Sequence, residues 1–189
     1  MTKIVDELII DNHLKLRKLK NDDLENYFKV NTSDSAKKGF MAILSTLNGA
    51  REELSEIIAE YSSNEPNECG YAIEYRGEFA GVATLEGIGR KRFEHVANIA
   101  YSLLPKYMCK GIGTLAVRKL CDYGFETFPL TRIEATVATQ NIASNKLLEK
   151  VGFVLEGMKR NSCNYQYLGL VDENIYALLK KEDDYKENI

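Results

Sequence analysis

The most constraining feature of this sequence is a change of hydrophobic period partway along it. Through residues 71–85, two apolar runs lie back to back across Arg76-Gly77-Glu78, which predicts an antiparallel hairpin. From residue 96 onward, extended runs alternate with helical ones: 96–104 ended by Pro105, a helix over about 113–125, then 132–137. On that helix Ile112, Ala116, Leu120 and Tyr123 share one face, while Arg118, Lys119 and Asp122 lie elsewhere. In the strand at 132–137, Ile133, Ala135 and Val137 fall on one side. A hairpin followed by strand–helix crossovers predicts an α+β (mixed α/β) chain, with a central mixed sheet and helices on both faces.

The remaining segments fit around that frame. Leu14 and Leu16 alternate with Lys15 and Arg17, as in a half-buried strand. Asp22, with Glu25 three residues on, reads as a capping box opening a helix near Leu24. Residues 33–49 show no clear period; over 51–62, Leu54, Ile57, Ile58 and Tyr61 recur at helical spacing. A further helix is predicted over 143–151, stacking Ala143, Leu147 and Val151, with Gly152 as its left-handed cap. Strands follow from 153 and over 171–179, and the charged tail 180–189 reads as frayed. The order is β-α-α, a meander, then α-β-α-β-β, within the 189 residues of one expected domain.

Composition narrows the function classes. A net charge of −3 argues against general nucleic-acid binding, which needs a basic footprint. No apolar run approaches the roughly 18 residues of a membrane span, and Asp6 and Glu7 interrupt any secretory-signal pattern at the start. Cys69, Cys109, Cys121 and Cys163 form no C-x-x-C pair and read as reduced thiols. With only His13 and His95 beside them, no metal site is expected. A cytoplasmic location is the expectation.

The segment Lys106-Tyr107-Met108-Cys109-Lys110-Gly111-Ile112-Gly113-Thr114 lies between a strand and an amphipathic helix. A helix N-terminus presents unpaired N–H groups and partial positive charge. Glycines there leave the backbone open to a diphosphate, and Lys110 adds charge. A plain turn is one alternative. A dinucleotide fingerprint is another, since Gly111-Ile112-Gly113-Thr114-Leu115-Ala116 fits G-x-G-x-x-A and Glu134 lies roughly 20 residues on. Against it, Pro105 and the residues to Lys110 separate the strand from the glycines, and too little chain remains for a second nucleotide-binding half.

Three motifs in order resemble the GNAT acetyltransferases. Ile99-Ala100-Tyr101-Ser102-Leu103-Leu104-Pro105 followed by Lys110-Gly111-Ile112-Gly113-Thr114 resembles their acetyl-CoA motif. Asn141-x-x-Ser144, then Leu147-Leu148-Glu149-Lys150-x-Gly152-Phe153 and Glu156-Gly157, resembles their second signature. Gly169-x-x-Asp172 with Tyr176 is similar to the last strand of the subgroup that acetylates N-terminal alanine or serine of ribosomal proteins. The resemblance implies a mostly antiparallel sheet of about seven strands, splayed between the fourth (96–104) and the fifth (132–137). It implies acetyl-CoA as cosubstrate. Its pantetheine arm is expected against the backbone of Leu103 and Leu104, and its diphosphate on the amides of Cys109, Lys110, Gly111, Ile112, Gly113 and Thr114. Asn141 is expected to face the cofactor, to cap its helix, or both.

The implied reaction is direct attack of a neutral amine on a thioester. It needs proximity, an oxyanion donor, a base for the amine and a proton for the departing thiolate. Where many relatives carry a tyrosine acid, seven residues after the motif asparagine, this chain has Leu148; Ser144 is the candidate for the thiolate, or simply a first-turn helix residue. Asn98 stands where relatives often carry a glutamate base, and Glu86, Glu94, His95 or a water chain are the substitutes. Cys109 replaces a usual glycine and reads as a packing residue or as a thiol activated at a helix start. Arg90-Lys91-Arg92 reads as a solvated loop tip, or as a contact for an acidic substrate or the nucleotide phosphate. The expected acceptor is a protein N-terminus, with a polyamine or aminoglycoside, or a non-catalytic CoA-binding module, as alternatives. Neither nucleic acid nor membrane is an expected partner, and oligomeric state, homodimer included, is left open.

Overall fold

The computed structural model describes residues 3–39 and 46–181. In chain order it runs β1 (Glu7–Ile9), β2 (Leu14–Lys18), α1 (Leu24–Asn31), α2 (Asp34–Gly39), α3 (Leu47–Glu60), β3 (Glu68–Tyr75), β4 (Glu78–Glu86) and β5 (Val96–Leu103). It continues with α4 (Ile112–Thr127), β6 (Arg132–Ala138), α5 (Ile142–Val151), β7 (Val154–Tyr165) and β8 (Gly169–Leu179). The strands form one sheet in the order β1-β2-β3-β4-β5-β6-β8-β7. Every neighbouring pair is antiparallel except β5 with β6. The expected mixed, mostly antiparallel sheet is present, with eight strands rather than about seven. The extra one, β1, has three residues and exists through its pairing with β2, which gives a period-2 reading too little to work on.

The β3–β4 hairpin turns on two residues, Arg76 and Gly77, both with positive φ (54° and 79°), so Glu78 already pairs with Tyr75. Both strands are buried on both faces through most of their length. Ile57 of α3 lies against Gly70 and Thr84 on one face, whereas Gly124 of α4 lies against Leu85, one residue on from Thr84, on the other. Ser102 of β5 donates to the Val30 carbonyl, which puts α1 on the α3 face. Helices therefore cover both faces. Leu120 and Ile133, both fully buried, each contribute about 1.5–3 kcal/mol of apolar burial.

Three local readings are corrected. Among the described residues no side chain caps α1 itself. The carboxylate at its entry is Asp23, not Asp22 or Glu25: it accepts from the Lys20 N–H at the start of the preceding turn and is gripped by both terminal nitrogens of Arg17 at 2.8 Å. A short 3-10 turn at Asn21–Asp23 precedes α1 and shifts the cap. In α5 the buried residues are Asn145, Leu148 and Val151; Ala143 is exposed and Leu147 half-buried. A polar residue on the buried face hid the true stripe. Within the segment without clear period lie α2 and the start of α3, capped by Thr46 accepting from the Gly49 N–H. The rest of that segment and the tail beyond residue 181 fall outside the described residues. Gly152 does cap α5, at φ 112°.

Candidate active site

β5 and β6 pair only where residues 96–98 meet 132–134. Beyond that point residues 99–103 and 135–138 present separate strand edges, so the sheet opens into a wedge. On its other side β5 pairs with β4, and the Leu104 N–H goes to the Ala80 carbonyl. Antiparallel pairing alternates, so Ile99, Tyr101 and Leu103 turn their backbone N–H and C=O groups toward the wedge. Leu104 differs. Its N–H is spent on Ala80 and its carbonyl accepts from the Tyr107 N–H. Of the two leucines singled out from sequence, only Leu103 offers its backbone to the opening.

The wide end of the wedge leads into the glycine loop. After Leu104, a 3-10 turn at Pro105–Tyr107 is anchored by buried Tyr107, whose ring packs edge-on against Tyr75 and whose hydroxyl donates to Glu78. Lys106 pairs with the same carboxylate at 2.7 Å. Among the described residues Lys110 has no ion pair, so its charge stays available in the loop. Gly111 is the N-cap of α4 at φ 79°, with no side chain to satisfy the first-turn amides of Ile112, Gly113 and Thr114. Cys109, exposed, adopts φ 58°, which explains why glycine suits that position.

The two glycines do different work. A Cβ on Gly111 would meet nothing, whereas one on Gly113 would come within 2.9 Å of Leu147 and 3.1 Å of Leu103. Gly113 therefore lets the first turn of α4 close on β5 and α5, which sets the amides beside the wedge. The uncapped amides, the left-handed Gly111 and Lys110, whose ammonium lies 5.9 Å from the centre of the Tyr107 ring and makes no ion pair among the described residues, fit a diphosphate.

Across the wedge lies the start of α5. Asn141 is its N-cap and accepts from the Ser144 N–H at 3.2 Å. The Ser144 hydroxyl lies 2.6 Å from the hydroxyl of Tyr101, which reaches over from β5. Burial pushes the Tyr101 phenol well above its ordinary range, with the Ser144 bond opposing, so it is protonated at neutral pH. Asn145, one position on from Ser144, donates to the Ala138 and Asn141 carbonyls and accepts from Asn174 and Tyr176 of β8. That network fixes the turn carrying Asn141 and Ser144. Tyr101 and Asn145 were missed as site residues; the signals were a tyrosine within the strand motif and an amide on a helix's buried face. Leu148 is fully buried, so a core side chain occupies the usual acid position.

The candidate bases separate clearly. Glu94 and His95 are exposed in the loop before β5, and Glu94 accepts from the Arg92 N–H. That loop joins the closed end of the β5–β6 pair, about 25 Å along an eight-residue strand from the glycine loop. Arg90, Lys91 and Arg92 thus stand away from the glycine loop. Glu86 stands beside Asn98 in register, and beside Glu68 on its other side, on the face covered by α3. The Glu86 carboxyl keeps solvent contact yet is raised, first by desolvation and then by Glu53. Half-buried Glu68 is pushed up to about 7, by desolvation first and then by Glu86, Glu60, Glu53 and Glu56.

The sequence profile described as the acetyltransferase (GNAT) domain matches residues 13–154. This chain belongs to the GNAT acetyltransferase family. It is an acetyl-CoA-dependent N-acetyltransferase. It is 27% identical over 173 residues to the uncharacterized N-acetyltransferase YoaA of Bacillus subtilis, covering 91% of this chain and 96% of that one. It is 27% identical over 180 residues to the putative ribosomal N-acetyltransferase YdaF of Bacillus subtilis, covering 92% and 94%. Its fold matches RimL, a ribosomal L7/L12 α-N-protein acetyltransferase solved with coenzyme A, at TM-score 0.79 and 18% identity, over 92% of this acetyltransferase and 97% of RimL. Among the described residues, no helix of this acetyltransferase is long and apolar enough to cross a membrane. No group of three or more His, Cys, Asp or Glu residues among them is placed to hold a metal ion.

Proposed function

We propose that this enzyme acetylates the N-terminal α-amino group of a protein, such as a ribosomal protein, by direct attack in a ternary complex. The observation that carries the reading is the convergence of two helix N-termini, α4 and α5, on the open edge of β5. One offers uncapped amides and the other a hydroxyl held by a buried tyrosine. Support for the acceptor class comes from the motif Gly169-x-x-Asp172 with Tyr176 and from the ribosomal acetyltransferase named among the relatives.

Acetyl-CoA supplies the thioester. The amides of Cys109, Lys110, Gly111, Ile112, Gly113 and Thr114 hold its diphosphate, and the β5 edge at Leu103, with Leu104 packing behind it, holds its pantetheine arm. Asn141 orders the α5 turn beside it. A backbone N–H of β5 at Tyr101 or Leu103 stabilises the oxyanion. Ser144 donates to the departing thiolate; its hydroxyl lies 2.6 Å from that of protonated Tyr101, and with Tyr101 as the donor of that bond the serine proton is directed into the wedge. One domain carries the whole site, since every strand that frames it lies in one sheet.

The test is release of free CoA from acetyl-CoA with peptides bearing N-terminal alanine or serine. Turnover on those peptides supports the reading. Turnover on spermidine or an aminoglycoside instead would move it to small amines. Tight acetyl-CoA binding with no turnover on any amine would leave a binding module.

A further inference from the structure

The face of the sheet that carries α1, α2 and α3 holds a buried carboxylate that forms no ion pair among the described residues. Glu173 stands on β8 opposite Ala138, the last residue of β6, and is 6% exposed. Asn174 and Tyr176 reach Asn145 of α5 on the other face, so strand alternation sends Glu173 to the α1–α3 face. It shares that face with Val171 and Ala138, which form a small apolar cluster with Tyr165. The Tyr165 hydroxyl donates to Glu173 Oε1 at 2.9 Å.

Asp23, equally buried, is gripped by the Arg17 guanidinium. Among the described residues Glu173 has no ion pair, although Lys159 stands opposite it in register. Every fully hidden side-chain nitrogen or oxygen among them has a hydrogen-bond partner. The second Glu173 oxygen has no such partner among them, so it retains a path to the outside. A carboxylate taken out of water without a cation is costly, and buried charges are as a rule paired. Ala138 borders the wedge, which places Glu173 one strand, about 4.8 Å, from the opening.

We infer that Glu173, positioned by Tyr165, is the subsite for the acceptor's primary ammonium group. This rests on the amine-acetylation reading above. Glu173 binds R–NH3+ and takes one proton from it, leaving R–NH2 with its lone pair free. The amine forms the new C–N bond as the thioester C–S bond breaks. The second nitrogen proton goes to the thiolate by way of Ser144, and the first leaves Glu173 for solvent.

Glu173→Gln tests this without changing shape. Without ligand, the variant is expected to melt at a higher temperature than wild type, because an uncompensated charge is gone. A lower melting temperature would mean that the carboxylate is already partnered, by Lys159 for example, and would overturn the inference. n-Butylammonium chloride, compared with potassium chloride at equal concentration, is expected to raise the wild-type melting temperature and leave Glu173→Gln unmoved; equal responses would also overturn it. With an accepted amine, the variant should raise the amine KM tenfold or more at unchanged acetyl-CoA affinity. If Glu173→Gln does not fold, Tyr165→Phe takes its place and should weaken the butylammonium response. A Glu173-dependent butylammonium response with no acetylation of any amine would leave the subsite standing and sink the transfer reading.

Discussion

At Ser144 two demands meet in one side chain. Its backbone N–H completes the Asn141 cap, and its hydroxyl is tied to Tyr101. A serine held only as a first-turn helix residue would need the first contact and not the second. Ser144→Ala is therefore expected to lower kcat about tenfold, roughly one charge-assisted hydrogen bond, while acetyl-CoA affinity changes little. Tyr101→Phe should lower kcat similarly. In the Ser144→Ala background it should do nothing further, since its effect runs through the serine; steady-state kinetics of the three variants form the cycle. Additive losses would mean that the two residues act separately. The sequence offered Ser144 through its motif spacing. It could not offer the link to Tyr101, because the two lie 43 positions apart and meet only across the wedge.

The first turn of α4 is an element-scale device. Gly111 supplies a left-handed cap and Gly113 a close approach, and substitutions should separate the two. Gly111→Ala has space for its methyl and is expected to cost about 1–2 kcal/mol of stability through backbone strain. Gly113→Ala pushes on Leu147 and Leu103 and is expected to cost about 1–3 kcal/mol as overpacking. Because the turn must move, Gly113→Ala should also weaken acetyl-CoA binding more than Gly111→Ala does, as calorimetry would read. The β3–β4 pair carries the second element-scale expectation. Glu68 faces Glu86, and its carboxyl titrates near 7 in the folded chain against 4.5 as its ordinary value. An acid raised on folding keeps its proton in the native state while the unfolded chain has lost it. Stability from this pair is therefore highest below about 4.5 and declines as pH rises toward 7. Glu68→Gln should raise the melting temperature at pH 8 and change it far less at pH 4.5. A pH-independent effect would show that the Glu68 carboxyl is not raised on folding.

For the whole molecule, the wedge makes ligand binding a stability term. β5 and β6 are joined by three residue pairs and then part, so the halves of the sheet on either side are held by helices and by the Tyr101–Ser144 bridge. A cosubstrate held along the open edge, as proposed above, would bridge them again. At a hundred times its Kd, acetyl-CoA should add about 2.7 kcal/mol, which for a chain of this size is a melting shift of about 5–10 °C. An unchanged melting curve at millimolar acetyl-CoA would remove the cradle assignment altogether. Much of this architecture was legible beforehand. The hairpin at Arg76-Gly77, the amphipathic face of α4, the Gly152 cap and the glycine loop are each written within a dozen residues, where period, turn chemistry and capping act. What misled was also local: a 3-10 turn moved the cap to Asp23, and Asn145 broke the apolar stripe of α5. The point where β5 and β6 part, the meeting of Tyr101 with Ser144 and the burial of Glu173 beside Tyr165 were decided by tertiary structure alone. Strand register is set there by segments distant in the chain: no short window contains both β5 and β6 or both Tyr101 and Ser144, and although Tyr165 and Glu173 are only eight positions apart, the β6 strand beside Glu173 lies far from both.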